Sequence, residues 1–114
     1  MSNQPPSINN ICQLPQALPD REIFETILAT SDIQIERIIS TGQTTPPGEW
    51  YDQAQDEWVI LLQGTASLGY ADGREINLKA GDYLLIPAHH KHRVTHTSSE
   101  PPCIWLAIHG QLTE

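Results

Sequence analysis

The sixteen residues GDYLLIPAHHKHRVTH, Gly81 to His96, decide the fold of this chain. The apolar run YLLI at 83–86 lies between a Gly-Asp pair and Pro87, which is the pattern of a short buried strand. Proline has no N–H for the ladder of a sheet, so the strand ends there and the chain turns. An extended pattern resumes at 91–97. The stretch therefore predicts two strands joined by a turn.

Four of the chain's five histidines lie in this stretch. Because alternate side chains of a strand share a face, His92 and His96 should point the same way as Val94. If Val94 faces a core, an imidazole beside it needs a hydrogen bond, a metal ion or a proton-transfer task. The other interpretation is a solvated turn that carries His89 and His90, next to two core histidines held by backbone carbonyls. The cluster alone leaves both a metal or ligand site and a structural role open.

Composition and charge restrict the classes of partner. Six Lys and Arg against fourteen Asp and Glu give a net charge of −8, which argues against binding to nucleic acid or to an anionic membrane. No window approaches the ~20 apolar residues of a membrane span, and the first ten residues lack the basic and apolar regions of a secretory signal. Cys12 and Cys103 are too few for a disulfide framework. We expect a cytoplasmic protein with reduced thiols and a small molecule as its partner.

The first nineteen residues hold four prolines among Asn, Gln and Ser, so we expect 1–19 to form an extended N-terminal arm. Residues 20–114 contain no linker and no internal repeat, and a chain of this length fits one domain. Asp20 is a suitable helix N-cap, and an apolar stripe with the spacing i, i+1, i+4 and i+5 starts at Ile23. These residues predict one short helix at Arg21–Ala29.

Short extended segments fill the rest of the chain, with Gly, Pro and Asp turns between them. They lie at 33–40, 49–63, 65–70, 75–78, 83–86, 91–97 and 103–108. This spacing predicts an all-β antiparallel sandwich or small barrel. The runs at 58–62, 84–86 and 104–108 are apolar on both faces, and one short helix cannot cover all their outer sides. A second copy of the chain is the simplest cover, so we expect a homodimer.

Residues 51–64 resemble the first motif of the cupin superfamily, H-x-H-x3-E-x6-G. In the same register, Tyr51 and Gln53 occupy the two histidine positions, while Glu57 and Gly64 match the motif. In metal-binding cupins the two histidines and the glutamate are ligands. The resemblance therefore implies that Glu57 is a ligand. At the two positions where the family has imidazoles, this chain has a phenol and an amide.

The stretch from Gly81 to His96 resembles the second cupin motif, G-x5-P-x-G-x2-H-x3-N. Gly81, Pro87 and His92 match it, whereas His89 stands at the glycine of the turn and His96 at the asparagine. The histidine of this motif is the remaining ligand in metal-binding cupins. The resemblance therefore carries over His92 as a ligand and places two further imidazoles near it.

The two motifs span about residues 51–96. The resemblance implies a cupin-type antiparallel jelly-roll β-barrel with a site inside it and a divalent transition metal as cofactor. The implied ligands are Gln53, Glu57 and His92, completed by His89 or His96. A mixed set of nitrogen and oxygen donors suits Zn, Fe, Mn, Ni or Cu.

The residues favour an internal site without the resemblance. Alternate residues from Tyr51 to Glu57 are polar and would share one face of a strand. A carboxylate that faces a barrel interior is costly unless it is paired, hydrogen-bonded or metal-bound, and His92 on a neighbouring strand is its natural partner. A metal-free hydrogen bond between the two would satisfy both groups. By the same alternation Asp56 points to solvent, and His109 at the end of the last strand is interpreted as structural.

Three functions are open at this point. The first is a metal-dependent enzyme acting on a small metabolite, an oxygenase, isomerase or lyase, in which Glu57 or a histidine moves protons. The second is a metal-free enzyme resembling the sugar-epimerase branch of the cupins, with His92 as base and Tyr51 as acid. The third is a non-catalytic barrel that binds a small ligand. The candidate catalytic residues are therefore Glu57, His92 and Tyr51.

Overall fold

The computed structural model describes residues 5–114, which fold into eight β-strands. The strands are β1 (Ile23–Ala29), β2 (Gln34–Ser40), β3 (Asp56–Gln63), β4 (Thr65–Tyr70), β5 (Glu75–Lys79), β6 (Tyr83–Ile86), β7 (His92–Thr97) and β8 (Cys103–Gly110). Five of them form one sheet in the order β1-β2-β8-β3-β6, and three form the other in the order β5-β4-β7. Every pairing between them is antiparallel. The expected all-β architecture is confirmed.

The core lies between the two sheets, where the inward faces of their strands meet. Val59 of β3 pairs with Ala107 of β8, and Leu61 pairs with Trp105. The buried cluster of both sheets consists of Val59, Leu61, Ala66, Leu68, Leu78, Ile86, Cys103, Trp105 and Ala107. Each large apolar side chain in it stabilises the fold by roughly 1.5–3 kcal/mol. Apolar packing therefore holds the sheets together and sets the walls of any space left between them.

The segment predicted as a helix, Arg21–Ala29, is strand β1 from Ile23 onwards, so the helix prediction is wrong. Ile23 lies opposite Ile39 of β2, and Phe24 lies opposite Ile38. The apolar stripe fits either structure, but the segment is rich in β-branched residues and only a strand gains the ladder with its neighbour. None of residues 5–114 lies in an α-helix, and in that range no helix could cross a membrane.

The part of the N-terminal arm that the structure describes lies against the outer face of β1 and β2. Arg37 of β2 donates hydrogen bonds to the backbone carbonyl of Ile11 at 3.1 Å and to that of Gln13 at 2.6 Å. The same guanidinium pairs with Glu25 of β1 at 2.8 Å. One arginine thus ties the arm to the barrel. Residues 1–4 of the predicted arm lie outside the described range.

Gly64 carries the chain from β3 of one sheet to β4 of the other. Its φ is +93°, and a Cβ at this position would lie 2.7 Å from Oγ of Ser98 and 2.9 Å from Sγ of Cys103. The left-handed conformation and the close approach both require glycine. This is the physical reason for the glycine that ends the first motif.

An irregularity in the pairing of β4 with β7 decides which histidines face the core. Ser67 lies opposite His96, but Leu68 lies opposite Val94, so β7 contains one extra residue at this point. Such a bulge reverses the alternation of side chains beyond it. His92 is buried, whereas His96 is exposed. The two histidines therefore do not share a face, contrary to the prediction.

Candidate functional site

A cavity of about 80 Å³ lies between the two sheets. Its walls combine apolar side chains of the core with a group of polar and titratable side chains. The apolar lining residues are Phe24, Ile38, Val59, Leu68, Ile86, Val94 and Trp105, and the polar ones are Glu22, Glu36, Tyr51, Gln53, Glu57, His92 and His109. A pocket with apolar walls and a few converging polar groups is the usual form of a small-molecule site.

His92 presents its Nε2 atom to this cavity. The residue is 5% exposed, and its Nδ1 lies 2.9 Å from the carbonyl oxygen of His90. A carbonyl oxygen can only accept, so Nδ1 carries the hydrogen, and Nε2 of the neutral ring has a lone pair. Nε2 lies 3.8 Å from Oε1 of Glu57. This orientation leaves Nε2 available as a metal ligand or as a base.

Glu57 is a buried carboxylate without a close donor on either side. Its oxygens lie 3.8 Å from Nε2 of His92 and 3.8 Å from Nε2 of His109, beyond hydrogen-bond distance in both cases. Burial raises the pKa of this carboxyl; the two histidines oppose the shift, and Glu36 adds to it. The lone pairs of Glu57 and His92 face each other. The pair therefore favours a hydrogen-bond donor, a proton or a metal cation between its two members.

Two residues that the sequence analysis did not assign to the site, His109 and Glu36, also line the cavity. Nε2 of His109 on β8 lies 2.9 Å from Oε1 of Glu36 on β2, and both side chains are largely buried. His109 continues the inward alternation of Trp105 and Ala107, and this periodicity is the signal that identifies it. Its interpretation as purely structural is therefore incomplete. Four groups form a row across the cavity: His92, Glu57, His109 and Glu36.

Tyr51 lies at the mouth of the cavity and packs on His92. The two rings are 5.5 Å apart with 25° between their planes, and the two backbones exchange hydrogen bonds of 2.7 and 3.1 Å. Partial burial raises the pKa of the Tyr51 phenol, and the carboxylates of Glu22 and Glu57 raise it further. The phenol therefore stays protonated at neutral pH. A protonated phenol can donate a proton, and it is a poor metal ligand because binding requires the phenolate.

Two of the predicted ligands lie away from the cavity. His89 has a φ of 60°, its side chain is 69% exposed, and its Nδ1 lies 2.9 Å from Oδ1 of Asp52. His96 is exposed beyond the bulge of β7, with Nε2 3.4 Å from Oγ1 of Thr65. The five predicted ligands thus divide into three that line the cavity, Gln53, Glu57 and His92, and two on the surface, His89 and His96.

The donor atoms in the row match the chemistry of a transition-metal ion. Imidazole nitrogens with carboxylate and amide oxygens are ligands of Zn, Fe, Mn, Ni and Cu. Ligand atoms ~2.1 Å from a tetrahedral ion lie roughly 3.4 Å apart, so the 3.8 Å separations at Glu57 are close to what an ion needs. Within residues 5–114, no three His, Cys, Asp or Glu side chains already surround one point as metal ligands would. A bound ion therefore requires small side-chain movements.

Asp56, which we expected to be solvated, is buried behind the cavity. Its carboxylate accepts hydrogen bonds from the N–H of Ala88 at 2.8 Å, of Leu112 at 2.8 Å and of Thr113 at 3.0 Å. These bonds lower the pKa of Asp56. Asp56 therefore fastens the turn before β7 and the C-terminal residues to the start of β3, next to Glu57.

The family comparison agrees with the motifs and with the fold. The family model of the cupin domain matches residues 37–109, which is more than half of the chain. The chain belongs to the cupin family. The match runs from β2 to β8 and includes every residue of the row across the cavity except Glu36. No match was found among curated proteins.

Solved structures of other cupins resemble this one over most of its length. A proposed mannose-6-phosphate isomerase from Ralstonia eutropha is 42% identical, with a TM-score of 0.84 over 93% of this chain and 99% of that chain. A cupin superfamily protein from Desulfitobacterium hafniense is 20% identical, with a TM-score of 0.71 over 85% and 84%. A protein with a double-stranded β-helix domain from Klebsiella pneumoniae is 18% identical, with a TM-score of 0.72 over 90% and 88%. The last two show similarity of fold alone.

Proposed function

We propose that this cupin is a metal-dependent enzyme that acts on a small metabolite in the cavity between its sheets. The observation that carries the proposal is the pair of acceptors formed by Nε2 of His92 and the carboxylate of Glu57, which lie 3.8 Å apart in residues that are 5% and 8% exposed. A buried pair of acceptors is costly unless a hydrogen-bond donor or a cation lies between them, and a divalent cation satisfies both at once. A divalent transition metal such as Zn, Fe, Mn, Ni or Cu accepts this donor set.

His92 and Glu57 would be the principal ligands of that ion. Gln53 lines the same cavity and offers a neutral amide oxygen, which is a weaker donor. His109 offers an imidazole on the other side of Glu57. Its Nε2 lies 3.8 Å from Glu57 and 2.9 Å from Glu36, so this nitrogen would exchange its contact with Glu36 for the ion. In this proposal His109 takes the place that the sequence analysis gave to His89 or His96.

An isomerisation fits the remaining groups of the cavity. The reaction moves a hydrogen from one carbon of the substrate to its neighbour, so it needs one base and one acid and no oxidant or reductant. Glu36 is a carboxylate of the cavity that is not assigned to the ion, and it can accept the proton; the protonated phenol of Tyr51 can return one. A bound ion would polarise the carbonyl oxygen of the substrate. The name of the Ralstonia relative supports this class over an oxygenase or a lyase.

A metal-free isomerase is the second candidate, and one observation favours it. The Tyr51 ring stacks on His92, so an acid and a base already lie side by side at the mouth of the cavity. In this case a proton held by Glu57 would occupy the space between Glu57 and His92, in keeping with the raised pKa of that carboxyl. His92 would then be the base and Tyr51 the acid.

Elemental analysis of protein purified without an affinity tag separates the two candidates. After reconstitution with Zn, Mn, Fe, Ni and Cu in turn, we expect about one ion per chain in the wild type and less than a tenth of that in His92→Ala. His96→Ala is the matched control, because it removes an exposed imidazole of the same strand, and its metal content should equal that of the wild type. A wild type that stays metal-free in every case would overturn the proposal.

Exchange of hydrogen in D₂O tests the reaction class. An isomerase that works by proton transfer introduces deuterium at the carbon next to the carbonyl group of its substrate, which mass spectrometry detects. Tyr51→Phe should slow this exchange and leave the metal content unchanged, because the phenol is assigned to the acid and not to the ion. Exchange that persists at full rate in metal-free protein would favour the second candidate.

A further inference from the structure

The charges that line the cavity all have the same sign. Three carboxylates, Glu22, Glu36 and Glu57, line it, and none of the lining residues is a lysine or an arginine. The arginine next to His92 in sequence, Arg93, lies outside: it donates to the carbonyl oxygen of Thr45 at 2.8 Å, and its guanidinium lies 5.9 Å from the Trp50 ring. An anionic substrate would therefore meet carboxylates and no cationic side chain.

Glu22 is held in place at the entrance to this cavity. Oγ of Ser40, which is fully buried, donates a hydrogen bond of 2.8 Å to Oε2 of Glu22. Oε1 is left to accept from another donor. Glu22 and Tyr51 line the same cavity, and the charge of Glu22 helps to raise the pKa of the Tyr51 phenol. The carboxylate is therefore positioned before a ligand arrives.

Aromatic faces accompany this carboxylate. Phe24 and Tyr51 both line the cavity and are 56% and 38% exposed, so they form the part of its wall that solvent reaches. Trp105 lines the inner part and is buried. Aromatic rings next to a carboxylate attract organic cations, because the negative face of the ring and the carboxylate both favour positive charge.

The buried end of the cavity has the same preference, and this is an independent observation. Glu57 is 8% exposed and lines the cavity, yet its nearest imidazole nitrogens are 3.8 Å away, too far for a hydrogen bond. A buried, unpartnered carboxylate favours the approach of a donor or a cation. A single divalent ion at Glu57 would still leave Glu22 without a positive partner.

We propose that the substrate of this site carries an ammonium group, which Glu22 binds in the cavity that Phe24 and Tyr51 also line. This inference rests on the proposed function for the location of the reaction, and it adds the chemical class of the substrate. A phosphorylated substrate does not fit, because its phosphate would lie among carboxylates without a lysine or arginine. The proposed substrate thus differs from the phosphorylated sugar in the name of the Ralstonia relative.

Three probes that share an ethyl group and differ in the charge of the attached group test the proposal: ethylammonium, ethanol and monoethyl phosphate. Their binding is followed by shifts of backbone amide signals in the NMR spectrum of the full chain, with and without bound zinc. We expect ethylammonium to bind at least tenfold more tightly than the other two, with saturable shifts at Glu22, Phe24 and Tyr51. Tighter or equal binding of monoethyl phosphate would overturn the proposal.

Two isosteric variants assign the effect to one carboxylate. Glu22→Gln should weaken ethylammonium binding at least fivefold, because it removes the charge and keeps the shape. Glu75→Gln removes the same charge from an exposed position on β5 and should leave binding unchanged. Equal loss in both variants would mean that net charge alone attracts the probe, and no loss in Glu22→Gln would mean that another group binds it. Either result overturns the proposal.

The same titrations keep this inference apart from the proposed function. Zinc content is measured separately in every sample. Preference for ethylammonium in protein that never takes up a metal would support the substrate class and overturn the metal-dependent function. Stoichiometric zinc without a preference for ethylammonium would support the metal-dependent function and overturn the substrate class.

Discussion

Nε2 of His92 lies 3.8 Å from Oε1 of Glu57 although the two residues belong to different sheets, His92 to β7 of the three-stranded sheet and Glu57 to β3 of the five-stranded one. Both residues are more than nine-tenths buried. The pair spans the cavity between the two sheets. Its contribution to the free energy of folding should depend on whether a cation lies between the two acceptors. A change in charge at this pair should therefore change the stability of the fold in opposite directions with and without a bound metal.

Glu57→Gln should stabilise the metal-free protein at pH 8. Burial raises the pKa of Glu57, so ionisation of the carboxyl costs more in the folded state than in the unfolded chain, and stability falls as the pH rises through the raised pKa. Glutamine has nearly the same shape without the charge. In EDTA we expect a melting temperature a few degrees above that of the wild type at pH 8, and a difference that shrinks towards pH 4.

The control for this variant is Glu75→Gln, which removes an exposed charge and should leave the melting temperature unchanged at both pH values. With zinc bound, Glu57→Gln should instead lower the melting temperature, since the variant has lost a ligand. A variant less stable than the wild type in EDTA at pH 8 would contradict the raised pKa. If Glu57→Gln raised the melting temperature with zinc bound as it does in EDTA, this would contradict the assignment of Glu57 as a ligand.

Asp56→Asn should destabilise the protein at pH 7. The N–H groups of Ala88, Leu112 and Thr113 lower the pKa of Asp56, so the stability that this carboxylate contributes is present above the ordinary pKa of aspartate and is lost as the pH falls through the lowered value. We expect a melting temperature several degrees below that of the wild type at pH 7 and a smaller difference near pH 3. Asp52→Asn, at an exposed position, should show little effect, and an equal loss there would contradict the argument.

Most of the fold could be predicted because turns and strands leave local signals. The Gly-Asp pair before Tyr83 and the proline after Ile86 bound β6 where the sequence places it. The segment at 21–29 could not be assigned in this way, since its apolar stripe suits a helix as well as a strand. The ladder with β2 decides between them, and pairing of distant segments is not visible in the local pattern.

The site could be predicted in part for a similar reason. Glu57 and His92 occupy motif positions, and each is directed inwards by the alternation of a regular strand. His96 does not face the cavity, because a bulge in β7 reverses that alternation. A bulge leaves no clear sign in the sequence. His109 and Glu36 meet across the register of β2 and β8, which cannot be read from either strand alone.

The outer face of the five-stranded sheet should bind a second copy of the chain. Trp58 lies opposite Leu85 of the edge strand β6, and its ring is 5.5 Å from that of Tyr83. Tyr83 is 66% exposed and Leu85 41%, and apolar surface of this kind marks an interface. Light scattering at micromolar concentration should give about twice the chain mass for the wild type.

Leu85→Lys should give the mass of one chain, because it places a charge within that interface. Ile76→Lys is the matched control, since Ile76 is similarly exposed on the other sheet and the variant should stay dimeric. A wild type that is monomeric at this concentration would make the prediction wrong. Dissociation of both variants would mean that the interface lies elsewhere.

Zinc should stabilise the folded chain through the ligands proposed above. An ion that binds only the folded state stabilises it by about 4 kcal/mol when its free concentration is a thousand times the dissociation constant, which is roughly 15 °C in melting temperature for a domain of about this size. His92→Ala should abolish this increase. His109→Ala should reduce it, and Gln53→Ala should reduce it least, because a neutral amide oxygen is the weakest donor of the set.

Acidification provides the second readout of the same ligands. Each imidazole must be neutral to coordinate, so lowering the pH towards 5 should release zinc and remove the added stability. His96→Ala should release zinc over the same pH range as the wild type, since its imidazole is exposed and lies outside the cavity. If His92→Ala keeps the full increase in melting temperature, or if zinc stabilises the wild type at pH 5 as much as at neutral pH, His92 is not a ligand. The cation between His92 and Glu57 would then be a proton.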